Sequence, residues 1–376
     1  MKAKVAAIIV LMLAASLISC RGFFTPETNN GGGGNGGGGS SGNTTTAKFL
    51  YVANSQNGSI AAESVATNGQ LTTITGSPFV GTNQPVSMAI TPDGTLVAIA
   101  DQVQGLWSFL INRNDGTLPS STASLAQSTT PPISVGITAN FAYSLEQGFP
   151  NQNLVGDVVP YAILNGTLNP ITGTQVLVGL NPHTLKIDPS GKFLYVAGDA
   201  SGTWIFSITQ PGNILPGTLV KVGQVATTTN TLSEDVAIDP NTKFAYVANG
   251  STGVETYSID VNGNLTRVGN VVAAGTTPIR LAVTPNGKFL YVVNQSSNNI
   301  SEYSISAGAL TSIGTVGTGA GPNSIAIDPS SAFVYVTNFT DGTLSTYSIN
   351  STTGVLTGTG TLNTGGAGPS SVVVTQ

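Results

Sequence analysis

The stretch Phe49-Leu50-Tyr51-Val52-Ala53-Asn54 is the first of seven copies of one short phrase in this chain. The later copies, of which the second is the most altered, begin at Thr95, Phe141, Phe193, Phe244, Phe289 and Phe333. Their starting positions lie 44 to 52 residues apart. A repeat of this length that reads as strands is typical of radial arrays of four-stranded blades. The sequence therefore predicts an all-β protein, a seven-bladed β-propeller with four antiparallel strands in each blade.

The copy that begins at Pro278 indicates how each blade is built. Residues 278–285 alternate as a first strand, and the turn at 285–288 contains Gly287, which can take a positive φ. Residues 289–294 are rich in aromatic and β-branched side chains, and residues 300–305 alternate, which predicts the second and third strands. A Gly-x-Leu phrase at Gly308 opens the fourth strand and recurs in the other six blades.

The two ends of the repeat region complement each other. The first blade begins at its second strand, at Phe49, and residues 369–376 form a first strand with nothing after it. Pairing these two segments completes seven blades and removes the open sheet edges. We therefore expect the carboxy-terminal strand to pair into the first blade and close the ring.

The amino terminus reads as an export signal. Lys2 and Lys4 precede an apolar run at 5–18, which is too short to span a bilayer and has the size of a signal-peptide core. The run ends in Leu17-Ile18-Ser19-Cys20, which resembles the bacterial lipobox, in which the cysteine carries lipid. Residues 1–20 are therefore predicted to be a lipoprotein signal peptide, with an ordinary signal peptide as the alternative. Because Arg21 follows Cys20, the anchor is expected in the outer membrane if the host is Gram-negative.

Composition limits the remaining possibilities. Residues 21–46 contain a Gly-rich run at 31–41 and are predicted to be a flexible tether, which leaves 47–376 for the propeller. Charged residues make up only 8% of the chain, and the net charge of -5 without basic clusters argues against nucleic-acid binding. We expect an extracytoplasmic protein that is held to the cell envelope by lipid alone, is a monomer, and uses no cofactor or metal.

Six charged or titratable residues stand out where the blades differ. At the start of the predicted inner strands and beside them, most blades carry small or uncharged residues, but the third to sixth blades carry Glu146, His183, Lys186, Glu234, Asp235 and Arg280. A histidine near carboxylates can act as a general base, and arginine or lysine can hold an anion or a developing oxyanion. The sequence thus predicts His183, Arg280 and Glu234 as catalytic residues. The same pattern predicts Lys186, Asp235 and Glu146 as ligand-binding residues, with an enlarged loop at 146–155 that carries Phe149.

A structural role for the same residues is the alternative to a site. They can pair among themselves and link three blades. Because side chains alternate along a strand, neighbouring positions point to opposite faces, so all six cannot converge.

The repeat phrases resemble a known family. The Tyr51-Val52-Ala53-Asn54 phrase and the stretch at 285–292 look like the YVTN and lactonase-type seven-bladed propellers, which include 6-phosphogluconolactonase-like enzymes. The resemblance covers residues 47–376. Of the family's Pro-His-x-His phrase, Pro182-His183 is kept and Leu185 replaces the second histidine. Of its Pro-Arg-His phrase, Arg280 stands one place late, and Gln295 stands where the family has a glutamate.

Three functions are consistent with this sequence. The first is a surface-anchored binding or interaction module outside the cytoplasm, whose partner is an anionic small molecule or an envelope protein. The alternative that the resemblance implies is a lactonase-type hydrolase acting on an anionic sugar lactone or carboxy lactone at the channel mouth. In that case His183 and Arg280 carry the reaction, with Glu234 or Glu146 as partner. The third is a purely structural envelope protein.

Overall fold

Seven antiparallel sheets arranged in a ring make up the described part of the chain. The computed structural model describes residues 48–128, 130–148, 155–198, 202–226, 232–251 and 253–376. These residues form seven blades with almost no helix, which confirms the predicted seven-bladed all-β propeller. The predicted signal peptide, Cys20, the tether and the first residue predicted for the propeller lie outside the described residues.

The first four blades follow one another along the chain. Blade one contains β1 (Lys48–Asn54), β2 (Ser59–Val65), β3 (Leu71–Thr73) and the short β4 (Phe79–Val80). Blade two contains β5 (Pro85–Ile90), β6 (Leu96–Asp101), β7 (Gly105–Leu110), a 3-10 turn (Ser120–Thr122) and β8 (Ser124–Ala126). Blade three contains β9 (Pro132–Ile137), β10 (Phe141–Glu146), β11 (Gly156–Leu164), β12 (Thr167–Pro170) and β13 (Val176–Gly179). Blade four contains β14 (Pro182–Ile187), β15 (Phe193–Gly198), β16 (Thr203–Ile208) and β17 (Leu219–Val225).

The last three blades are the most regular. Blade five contains β18 (Ser233–Ile238), β19 (Phe244–Asn249), β20 (Gly253–Ile259) and β21 (Leu265–Val272). Blade six contains β22 (Pro278–Val283), β23 (Phe289–Asn294), β24 (Asn299–Ser306) and β25 (Ala309–Gly317). Blade seven contains β26 (Pro322–Ile327), β27 (Phe333–Asn338), β28 (Thr343–Ile349) and β29 (Leu356–Asn363). The last strand of the chain, β30 (Pro369–Val374), belongs to the sheet of blade one.

The ring closes through the two ends of the repeat region. Strand β30 pairs antiparallel with β1, so that Val373 lies opposite Tyr51. Beyond the strand, the Thr375 N–H donates to the carbonyl of Phe49 at 2.8 Å, and the Phe49 N–H donates to the Thr375 hydroxyl at 2.9 Å. Blade one therefore takes its innermost strand from the far end of the chain, as predicted.

The hydrophobic core lies between blades. Seven buried clusters are present in the described residues, and each one joins two neighbouring blades. Each blade therefore depends on both neighbours for the burial of its apolar side chains, and opening the ring at one interface would expose one of these clusters.

The repeated phrase and the Gly-x-Leu phrase are two halves of one contact between blades. The Tyr51 hydroxyl of blade one donates to the Gly116 carbonyl of blade two at 2.8 Å, and Tyr143 of blade three donates to Gly217 of blade four at 2.9 Å. Gly116 has a φ of +74°, and a Cβ there would lie 2.4 Å from the Phe49 ring. Only glycine fits this position, which explains why both phrases recur together.

Among the described residues, no helix is both long and apolar enough to cross a membrane.

Candidate active site at the channel mouth

A β-bulge at the start of the innermost strand builds the mouth of the channel. In blade four, Pro182 pairs with Gly198 and Thr184 pairs with Ala197, which leaves His183 as the extra residue. Every blade has the same irregularity, and the bulged residues are Val86, Ile133, His183, Glu234, Ile279, Asn323 and Ser370. A bulge redirects the side chain of its extra residue. All of them except Glu234 line one cavity of about 700 Å³ at the mouth.

His183 and Glu234 form a pair at this mouth. His183 Nδ1 lies 2.8 Å from Glu234 Oε2, and the side chains are 26% and 13% exposed. Gly250 leaves room for the glutamate, since a Cβ there would lie 3.0 Å from Glu234 Oε1. A carboxylate on Nδ1 fixes the tautomer that carries the Nδ1 proton and leaves Nε2 as the basic nitrogen. The geometry is that of a general base with its orienting acid.

Arg280 lies one residue beyond the bulge of blade six. It lines both the mouth cavity and the channel beneath it, and one guanidinium nitrogen donates to the Ile279 carbonyl at 2.7 Å. Within the residues that the structure describes, no carboxylate lies within 4.0 Å of this guanidinium. Its charge is therefore available to a group in the cavity.

Lys186 and Asp235 lie in the channel below the mouth. Asp235 is buried, and its two carboxylate oxygens accept from the Thr184 hydroxyl at 2.9 Å and from the Leu281 N–H at 3.1 Å. Lys186 Nζ is 3.9 Å from the first of these oxygens. Asp235 thus links blades four, five and six, which is the structural role that the sequence left open as an alternative.

Glu146 does not line the mouth cavity. Its side chain is buried at the end of β10, and the hydroxyls of Ser128 and Thr130 donate to it. It lies opposite Asp157 of β11, whose pKa is raised to about 6, first by burial and then by the charge of Glu146. The structure therefore pairs His183 with Glu234, places His183 and Arg280 in one cavity, and leaves Glu146 outside that cavity. The predicted loop residue Phe149 lies outside the described residues.

Six amide side chains also line the mouth, and the sequence reasoning missed most of them. The amide side chains that line the same cavity are Gln84, Gln102, Gln147, Asn181, Gln295 and Asn323. Gln102, Gln147 and Gln295 each follow directly after the second strand of a blade, which is the signal that could have identified them. Phe339 stands at that position in blade seven and supplies an aromatic ring to the cavity.

No group of three or more His, Cys, Asp or Glu side chains that could hold a metal ion occurs among the described residues.

Solved structures with the same fold come from several bacteria. One is a candidate 6-phosphogluconolactonase from Bacteroides fragilis, with 17% identity, a TM-score of 0.74, and coverage of 89% of this chain and 99% of that chain. Another, from Bacteroides uniformis, has 19% identity, a TM-score of 0.75, and coverage of 88% and 100%. A periplasmic gluconolactonase from Pseudomonas aeruginosa has 16% identity, a TM-score of 0.71, and coverage of 88% and 99%. Identities this low establish the fold alone.

Sequence comparison identifies the family. A search of curated proteins found no match to this chain. The family model for the seven-bladed lactonase propeller matches residues 39–136, 212–315 and 300–376, which together make up more than half of the chain. The protein therefore belongs to the lactonase family of seven-bladed β-propellers.

Proposed function

We propose that this protein is a hydrolase that opens lactones at the mouth of its channel. The observation that carries the proposal is the 2.8 Å contact between His183 Nδ1 and Glu234 Oε2, with His183 and Arg280 lining one cavity of about 700 Å³. Membership of the lactonase family supports it. The hypothesis of a binding module has no comparable support, and it becomes the alternative outcome of the experiment below.

The reaction begins with the activation of water. The Nδ1–H of His183 donates to Glu234, and Nε2 removes a proton from a water molecule in the cavity. The oxygen of that water forms a bond to the lactone carbonyl carbon, and the carbonyl oxygen becomes an oxyanion. The Arg280 guanidinium stabilises this charge, which is larger in the transition state than in the bound lactone. Glu234 stabilises the imidazolium that forms.

Ring opening returns the proton. The oxyanion reforms a carbonyl, the bond between the carbonyl carbon and the ring oxygen breaks, and the leaving alkoxide takes the proton from His183 Nε2. The product is a hydroxy acid, which ionises to its carboxylate in water. One water is consumed, and the three residues return to their starting states, so no cofactor is required for the balance.

The substrate that best fits the mouth is a lactone that carries hydroxyl groups. Glutamine and asparagine offer both a donor and an acceptor, which suits sugar hydroxyls, and Phe339 offers an apolar face to a sugar ring. Two fold relatives are named for sugar-lactone hydrolysis, as 6-phosphogluconolactonase and as gluconolactonase. These names support sugar lactones as the first substrates to test.

We also propose that the enzyme works outside the cytoplasm on a lipid anchor. The support is the apolar run at 5–18 that ends in Leu17-Ile18-Ser19-Cys20. Growth of an expressing bacterium with labelled palmitate should label the wild-type protein and leave Cys20→Ala unlabelled. Label on both proteins, or on neither, would contradict the anchor.

The experiment that tests the reaction is hydrolysis of a panel of sugar lactones and carboxy lactones by the full chain. We expect turnover that falls about 100-fold or more in His183→Ala and in Arg280→Ala, because general-base and oxyanion groups typically contribute factors of this size. Lys192→Ala is the matched control, since Lys192 is exposed at the far end of blade four. Turnover no faster than the spontaneous rate would reject the hydrolase and leave the binding module.

A further inference from the structure

Each of the seven blades contributes one side chain to a ring just below the mouth. This girdle consists of the residues that follow each bulge: Ser87, Ser134, Thr184, Asp235, Arg280, Ser324 and Ser371. All seven line the channel, whose cavity measures about 390 Å³. The girdle is therefore the polar surface that any group entering the channel meets below the mouth.

Four serines of the girdle join each blade to the next. Each hydroxyl oxygen accepts the N–H of the core residue that follows the girdle position in the neighbouring blade. The pairs are Ser371 with Met88 at 3.1 Å, and Ser87 with Val135, Ser134 with Leu185 and Ser324 with Val372 at 3.2 Å. Within the described residues, none of these four hydroxyls donates a hydrogen bond in turn. Since a hydroxyl is also a donor, four O–H groups remain available to a group in the channel.

Arg280 interrupts this ring. An arginine has no acceptor, so blade six cannot accept the Ile325 N–H of blade seven, although the amide at this position is bonded to a serine in four blades and to Asp235 in blade six. Arg280 therefore places a guanidinium in the channel, and the contact between blades six and seven at this position is missing. No carboxylate of the described residues lies within 4.0 Å to neutralise it.

Lys186 brings a second cation to the same channel. It replaces the small side chains that the other blades carry there, which are Ala89, Gly136, Ala237, Ala282, Ala326 and Val373. Its side chain is 45% exposed and its Nζ is 3.9 Å from Asp235 Oδ1, at the outer limit of an ion pair. Both oxygens of Asp235 already accept hydrogen bonds. Two cations therefore line the channel together with the Asp235 carboxylate, whose oxygens are already engaged, and with the carboxy-terminal residue Gln376.

We propose that the girdle is a binding site for a small oxyanion, a carboxylate or a phosphate group. Arg280 and Lys186 supply the charge, the serine hydroxyls of blades one, two, three and seven donate to the remaining oxygens, and the Ile325 N–H gains the acceptor that blade six lacks. Charge-assisted hydrogen bonds of this kind are stronger than neutral ones. The proposal rests on the proposed function only in assigning this oxyanion to the substrate: an anionic arm of the lactone enters the channel while its ring stays at the mouth.

The test uses anion binding and does not depend on turnover. Calorimetric titration of the full chain with inorganic phosphate and, separately, with acetate, each against chloride at equal ionic strength, should give saturable binding of at least one of them. Lys186→Ala should weaken it at least about tenfold, since one charge-assisted bond is lost. Lys192→Ala removes the same charge on the outside and should bind as the wild type does. Preference for phosphate or for acetate identifies the anionic arm.

Arg280→Ser provides an independent check. This variant should also bind the anion at least about tenfold more weakly. It should nevertheless unfold at higher temperature than the wild type in chloride buffer, because serine restores the acceptor for the Ile325 N–H.

Two results would overturn the proposal. One is the absence of saturable binding of both anions to the wild type, and the other is equal binding by the wild type and Lys186→Ala. His183→Ala should bind the anion normally although its turnover is lost, so a failed girdle and a failed hydrolase are distinguishable.

Discussion

At the scale of single residues, the raised pKa of Asp157 predicts a pH dependence of stability. Its pKa is raised to about 6 by burial and by Glu146, so its folded-state pKa lies above the unfolded value. Such a group stabilises the fold fully below the unfolded pKa, and this contribution is lost as the pH rises through about 6. Urea titrations should therefore show a free energy of unfolding lower by about 1 kcal/mol at neutral pH than near pH 5, after allowance for partial exposure.

Asp157→Asn should remove this dependence and raise stability at neutral pH. Asp260→Asn is the control, because hydrogen bonds from Asn264 lower the pKa of exposed Asp260 and keep it ionised across the same window. The free energy of unfolding of the wild type could instead rise between about pH 5 and pH 7, and Asp157→Asn could abolish that rise. This result would contradict a raised pKa of Asp157.

At the residue scale, the sequence singled out His183 and Glu234, which the structure pairs, but it could not separate residues that line the mouth from a buried residue such as Glu146. His183, Glu234 and Arg280 were visible because they break the pattern of seven aligned strands in a chain that is poor in charge. Glu146 broke the pattern equally well. Its burial beneath the hydroxyls of Ser128 and Thr130 depends on contacts across loops, which no alignment of repeats contains.

At the scale of elements, the glycine of each Gly-x-Leu phrase is held by packing as well as by backbone conformation. Gly263 has a φ of +83°, and a Cβ there would lie 2.4 Å from the Phe193 ring, whereas Gly173 has a φ of +74° and no atom within 4 Å of its Cβ position. Gly173→Ala should therefore cost only the backbone term, about 1 kcal/mol of unfolding free energy. Gly263→Ala should cost about 3 kcal/mol, because the blade interface must also move.

Urea unfolding of the two glycine variants in parallel measures this difference directly. Equal losses would mean that the Phe193 contact adds nothing to the interface.

The strands were readable from the sequence, and the bulges were not. Period-two alternation and the aromatic, β-branched phrases predicted the strands of each blade. A bulge is a property of pairing: His183 is extra only because Pro182 and Thr184 pair with the adjacent residues Gly198 and Ala197. The separation of the mouth from the girdle one residue below follows from these bulges, and so the two levels of charge became visible only in the structure.

At the scale of the whole molecule, closure of the ring is the feature that the sequence predicted most specifically. Deletion of residues 369–376 removes β30, exposes the edge of β1 and opens the buried cluster shared by blades one and seven. Because native proteins are stable by only about 5–15 kcal/mol, we expect this variant to lose cooperative thermal unfolding. Deletion of exposed Gln376 alone should leave the transition unchanged, and a cooperative transition in the longer deletion would show that closure is dispensable.

The measurement that tests the hydrolase most directly is a double-mutant cycle on kcat/KM for the best lactone, using His183→Ala, Glu234→Gln and the double variant. If Glu234 acts through His183, the loss in His183→Ala should be about 100-fold or more, and Glu234→Gln should add almost nothing to it. Full activity in His183→Ala, or losses that multiply as if the two residues were independent, would contradict the account of a base and its orienting acid at the channel mouth.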